Sequence, residues 1–230
     1  GEVWDNTVFE NCYVAGDVTA TSEGAAGLVG KIDECSIIGC YAAGDVNGRK
    51  TVGGLVGEVN NTVIESCYAT GNVIGSYEMV GGLAALTNNN TIMINCYAAG
   101  DVSGQQEVGG LVGEANSGTI IENSYAIGNI TATDNEGSGG LVGKASQTTI
   151  SDCYAAGNVE GDGAYYSGAG GLVGEANDGT TIENCYATGN IENADFVGGL
   201  VGRANDSVIE NCYAVGAVSN GGDLGGFVGY

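Results

Sequence analysis

The phrase Cys-Tyr-Ala-x-Gly-x-Val, or a near copy of it, occurs eight times in 230 residues. Its anchors stand at Cys12, Cys40, Cys67, Cys96, Ser124, Cys153, Cys185 and Cys212, in steps of 28, 27, 29, 28, 29, 32 and 27 residues. Tyr follows every anchor (Tyr13, Tyr41, Tyr68, Tyr97, Tyr125, Tyr154, Tyr186, Tyr213), Gly stands four after it, and Val or Ile six after it. A second block, Gly-Leu-Val-Gly or close to it, lies 12 or 13 residues before the next anchor; it is centred on Leu28, Leu55, Leu83, Leu111, Leu141, Leu172 and Leu200, with Phe227 in the last copy. Self-similarity at a fixed short period restricts a chain to a stacked array, because one unit of this size cannot bury its apolar face alone. A propeller blade takes about 40 or more residues, so this period is too short for one. Every unit carries glycines and β-branched residues but no apolar stripe at helical spacing, which excludes helical pairs.

Short strands remain. In "TIENCYATGNI" (181–191), Cys185, Ala187 and Ile191 belong to one face, Tyr186 and Thr188 to the other. Ile182 is out of phase with Cys185 by one residue, so a corner falls at Glu183-Asn184. Asn or Asp precedes the anchor in six of the eight copies and tolerates the left-handed backbone a corner needs. Gly-Gly-Leu-Val-Gly reads as a second strand whose glycines permit close approach. Two or three short strands per coil, each coil resting on the last in parallel register, make a β-solenoid, or parallel β-helix. The expectation is an all-β single domain over residues 1–230, about eight coils with uncapped ends, forming a rod roughly 38 Å long at ~4.8 Å per coil. Insertions follow the Val or Ile ("NGRKTV" against "EGDGAYYSGA"), where a loop tip absorbs them without a register slip.

Composition narrows the partners. The chain has five Lys plus Arg against 28 Asp plus Glu, a net charge of −23, and no His. Almost nothing is available to neutralise phosphate, so nucleic acid and anionic membranes are excluded as partners. No run approaches the roughly 18 apolar residues of a membrane span. Hydrophobic residues make up 43% of the chain, so its 44 glycines belong to a folded protein and not to a linker.

The stretch "GGLVGEANDGTTIENCYATGNI" (170–191) resembles the GLUG repeat. That repeat occurs in secreted and cell-surface proteins of bacteria and archaea, including adhesin-like proteins and the non-catalytic part of immunoglobulin A1 metallopeptidases. The resemblance extends from Gly1 to Tyr230 and implies an extracellular β-solenoid. Peptidases of the family use a His-containing zinc motif, and this chain has no His.

Each repeated column has its own reading. The anchor column reads as buried free thiols, small fillers of a narrow core, with Ser124 filling the same slot by shape. Cys35 stands where other coils carry Thr or Ser (Thr62, Thr91, Ser207), and a bridge between Cys35 and Cys40 stays open. The tyrosines should face outward as a stacked aromatic column that fixes register; an exposed stripe of this kind could also contact glycans or a host surface. Five residues after the anchor run Asp17, Asp45, Asn72, Asp101, Asn129, Asn158, Asn190 and Ala217. Adjacent carboxylates there would repel by roughly 0.9 kcal/mol in water, so Asn among the Asp relieves the column. Repeated columns give no singular constellation of acid, base and cation, so catalysis is not expected. No cofactor is implied beyond a weakly held surface calcium at the acidic loops 131–139 and 160–166. Asn60, Asn89, Asn129 and Asn205 each open an Asn-x-Ser/Thr triplet and are candidate glycosylation sites.

The ends carry the functional expectation. "GEVWDNTVFENCY" is the back half of a repeat and "GGFVGY" the front half. Joined head to tail, two copies would space their anchors by 30 residues, within the observed steps. Trp4, Phe9, Phe227 and Tyr230 exceed the matching interior residues in size, as a contact between copies would want. A heterologous contact of this kind makes a surface filament. The alternative is a stalk or passenger segment of a larger adhesin or immunoglobulin A1 peptidase-like protein.

Overall fold

The structure, a computed structural model, describes residues 1–134, 136–163 and 167–230. Among them every regular element is a β-strand, and equivalent residues of successive coils pair in parallel. Ile64 lies beside Met93, Tyr68 beside Tyr97, Val56 beside Ala84 and Val73 beside Val102. The chain is a β-solenoid of about eight coils.

Each typical coil contains five strand segments where the sequence pattern suggested two or three. The coil that follows Gly54, for example, has Val56–Asn60, Val63–Glu65, Tyr68–Ala69, Val73–Gly75 and Glu78–Gly81. Segments of two or three residues are too short for alternation to reveal. The corners between them divide the chain. The residue before the anchor is left-handed in all eight coils, with φ of 52° at Asn11, 61° at Gly39, 55° at Ser66 and 53° at Asp152. A second corner has the same design six residues before the anchor, at Asn6, Glu34, Asn61, Asn90, Gly118, Gln147, Gly179 and Asp206, again all left-handed.

Three strand columns form eight-stranded sheets, and the remaining two belong to a 14-stranded sheet. Those two join because Ile191–Gly198 crosses both as one eight-residue strand. The main core is built from the Leu-Val column, the Ile column (Ile37, Ile64, Met93, Ile121, Ile150, Ile182), the anchors, and Ala two residues after them. Each fully buried Leu or Ile there contributes about 1.5–3 kcal/mol. Val46, Val73, Val102, Ile130, Val159 and Ile191 line a second core beneath the merged sheet.

Glycine is required where coils touch through backbone. At the position four after the anchor, a Cβ on Gly128 would collide with the carbonyl oxygen of Gly100, and one on Gly157 with that of Gly128. That column holds nothing larger.

Candidate functional site

Four repeated columns reach the surface or a corner, and each has a defined chemistry. The tyrosines form one uninterrupted stack from Tyr13 to Tyr213, with neighbouring ring centroids 4.8–5.2 Å apart and ring planes within 9° of parallel. Stacking occupies the ring faces, so a sugar approaching the interior rings would meet edges. Tyr13 and Tyr213, 65% and 54% exposed, each keep one face free of a stacking partner within the column.

The polar column is a ladder rather than a set of isolated solvated groups. The Oδ1 of Asp17 accepts the backbone N–H of Asp45, and the pattern repeats coil by coil to Asn190 and Ala217 at 2.7–3.1 Å. Asn and Asp are interchangeable because only the shared Oδ1 is used. Ala217 ends the run.

The anchor slot is also chosen for hydrogen bonding. Each thiol, and the Ser124 hydroxyl, donates to the carbonyl two residues before it at 2.8–3.4 Å. It accepts the N–H of the preceding anchor at 3.1–3.4 Å in six coil pairs. Ser124 fits by donor and acceptor as well as by size. The second corner works alike, the hydroxyls of Thr62, Thr91, Thr119 and Thr180 donating at 2.7 Å to carbonyls two or three residues earlier. Cys35 occupies that slot and donates to the Asp33 carbonyl at 3.0 Å. All eight cysteines are free, Cys35 and Cys40 among them. Burial pushes the Cys67 thiol up to about 11 and that of Cys96 up to about 12. Cys153 is raised by its contact with the Cys185 thiol and by burial. Thiols held protonated are poor nucleophiles and poor metal ligands.

Sequence reading missed the fourth column. The residue after each Gly-Leu-Val-Gly block stacks as Glu2, Lys31, Glu58, Leu86, Glu114, Lys144, Glu175 and Arg203. Signs alternate on either side of Leu86, and three of the chain's five basic residues are placed here. Lys31 Nζ meets Glu58 Oε1 at 2.9 Å; the hydrogen bond with Glu58 raises the Lys31 pKa. Lys144 Nζ lies 3.2 Å from Glu107 Oε1 and 3.4 Å from Glu136 Oε2. The signal was legible in the repeat as the letter after each block.

The remaining sequence-derived sites are dispersed. Trp4 is 48% exposed with Lys31 Nζ 5.6 Å from its ring centroid, and Phe9 continues the Ile column beside Ile37. At the other end Phe227 continues the Leu column, while Tyr230 packs its ring 4.7 Å from that of Phe196, with the Arg203 guanidinium 5.9 Å from Tyr230. Asn60 is buried, with its amide donating to Glu58; Asn89, Asn129 and Asn205 are exposed. Of the two acidic loops, Asn135 and residues 164–166 lie outside the described residues. Asp134 accepts a hydrogen bond from Gln106 Nε2 at 3.2 Å. Among the described residues no three His, Cys, Asp or Glu side chains converge on a metal position, and no helix is long and apolar enough to cross a membrane.

Comparison with known proteins agrees with this architecture. The GLUG motif matches residues 48–74, 104–131, 134–160, 165–192 and 197–219, more than half of the chain. No curated protein matches. The crystal structure of a candidate immunoglobulin A1 protease from Bacteroides ovatus is similar with a TM-score of 0.52 and 25% identity, over 78% of this chain and 60% of that one. The chain therefore spans less than two thirds of that relative's length. With the motif recurring in the register that the coils display, the chain belongs to the GLUG-motif family.

Proposed function

We propose that this chain is a non-enzymatic stalk segment of a secreted or cell-surface protein, a straight rod that sets distance. The observation that supports this most is the unbroken tyrosine register, seven consecutive contacts at 4.8–5.2 Å from first coil to last. A rod built this way transmits position along its axis and repeats its stacked surface from coil to coil. Glu107, whose carboxyl is well above the usual range, is buried against Lys144 rather than set in an open cleft. The likeness to a candidate protease over part of that protein's length suits a repeat region that accompanies other domains.

One coil should be removable. Deleting Tyr97–Ser124 joins Cys96 to Tyr125 in register, and the product should fold and be shorter by about 4.8 Å, as measured by small-angle scattering. A deleted chain that does not fold, or an intact chain that hydrolyses a peptide or glycan, would overturn the stalk.

A second reading, end-to-end association into filaments, rests on the exposure of Trp4, Phe227 and Tyr230 at the two end faces. Gly1-Glu2 and Gly229-Tyr230 hold the same two positions of the Leu-Val column, so a shared coil requires one pair to peel away. In a longer protein, flanking coils would stack on the same faces. Electron microscopy of the concentrated chain separates the two, since filaments lost on Trp4→Ser would favour association.

A further inference from the structure

Buried charge concentrates on one flank, between the Gly-Gly column and the charged column. Glu107 stands at the corner position that Gly137 and Gly168 occupy in the next two coils. Side chains of the charged column fill the space those glycines leave. Cγ of Glu175 would lie 3.5 Å from a Cβ on Gly137 and 3.2 Å from one on Gly168. Lys144 reaches back to Glu107 and Glu136. Glu107 and Glu175 are each only 7% exposed. Glu114 and Glu175 flank Lys144 in the column, and Arg203, next after Glu175, turns its guanidinium over Phe196 at 6.0 Å. Glu107 and Glu175 are thus buried, with Glu114 and the half-exposed Glu136 beside them, against Lys144 and, on the Glu175 side, Arg203. Excess negative charge in a water-poor place is unfavourable, and a bound proton relieves it with the least rearrangement.

We propose that this cluster is a proton-operated latch, in which Glu107 takes up one proton and Lys144 is left to the remaining carboxylates, clamping the three coils that carry Glu107, Lys144 and Glu175. Burial, reinforced by Glu114, pushes the Glu107 carboxyl up to about 7 despite Lys144, and burial also raises Glu175. Burial works against the Lys144 charge, yet Glu107, Glu136 and Glu114 hold it above the usual ammonium range. The sign follows from linkage. A carboxyl raised from ~4.3 in the unfolded chain binds its proton more tightly when folded, so its contribution is present on the acid side and is lost as pH rises through about 7. Ordinary paired carboxylates give the opposite trend.

The test is thermal unfolding of the intact chain in EDTA between pH 5.5 and 8. The midpoint should fall by roughly 4–8 °C across that range, and Glu107→Gln should lose most of that fall. Parallel pH profiles for the two proteins would overturn the latch. Should Glu107→Gln fail to fold, Lys144→Gln serves instead. Without the ammonium the proton is held to higher pH, so the transition should move upward, and an unmoved transition overturns the proposal. Amide exchange provides a local readout, with Gln106–Gly109 expected to open more readily at pH 8. An effect spread evenly over all coils would count against it.

Discussion

The two sides of each coil follow different rules. From Ile182 to Ile191, and at the matching positions of the other coils, little changes. From the Val column to the charged column, both length and charge vary. On the first side backbone meets backbone, with the carbonyl of Gly100 occupying the place of a Cβ on Gly128 and corners held at positive φ. On the second side the Gly-Gly-Leu-Val-Gly strand keeps backbone contacts of the same kind, but at the corner before it and the position after it side chains meet side chains, and several solutions coexist. One coil has Met79 and Leu86 at the two facing positions, the next Glu107 and Glu114, and a later one Phe196 and Arg203. Contacts that involve the backbone leave one residue type, and contacts between side chains leave many.

The sharpest way to break this comparison is to add one methyl group where backbone touches backbone and another at an open corner. Gly128→Ala drives a Cβ into the Gly100 carbonyl and should cost more than about 3 kcal/mol or prevent folding. Gly179→Ala sits at φ +84° with nothing within 4 Å, so only backbone strain opposes it, about 1–2 kcal/mol. Urea unfolding of both variants measures the difference. Equal costs would mean that close approach does not fix the column.

The same distinction explains what the sequence disclosed. The stacked array, its register, the outward tyrosines and the corner before each anchor were legible because a strict repeat betrays backbone constraint. The corner six residues before the anchor was not, because Glu34 and Gln147 stand there beside the usual Asn, Asp and Gly, and neither is a turn residue by habit. The column Asp17–Asn190 read as one in which Asn relieves repulsion among Asp, since composition does not reveal that Oδ1 is satisfied by the next coil's backbone. The Glu107 cluster depends on glycines one and two coils away, and one coil's sequence does not show such neighbours.

The anchor column refines the comparison with an intermediate effect. Cys153→Ala would leave the buried Ser124 N–H, now 3.4 Å from Cys153 Sγ, without an acceptor, a loss of about 1–3 kcal/mol. Cys153→Ser restores donor and acceptor, as Ser124 already does two coils from Cys67 and beside Cys96, and should stay within about 1 kcal/mol of the parent. Thermal unfolding under reducing conditions separates the two. If Ser proves as costly as Ala, the slot selects for sulfur's bulk and the hydrogen-bond reading fails.

The smallest effect belongs to the charged column. Lys31 and Glu58 are about a third exposed, so Lys31→Gln should cost no more than about 0.5 kcal/mol. Lys31→Glu differs in kind, because it sets three carboxylates in succession with Glu2 and Glu58. Each new like-charge contact one coil apart costs roughly 0.9 kcal/mol in water, and salt near 1 M, with a screening length of about 3 Å, should erase most of it. A reversal no worse than the neutral change, or a cost insensitive to salt, would show that alternation on this face does not help hold coils in order. The expected pattern, a small penalty for removal and a larger, salt-sensitive one for reversal, makes the column chiefly a guard against slipped register. On this side of the coil, charge discriminates against wrong neighbours, whereas on the other side the glycine backbone leaves room for only one.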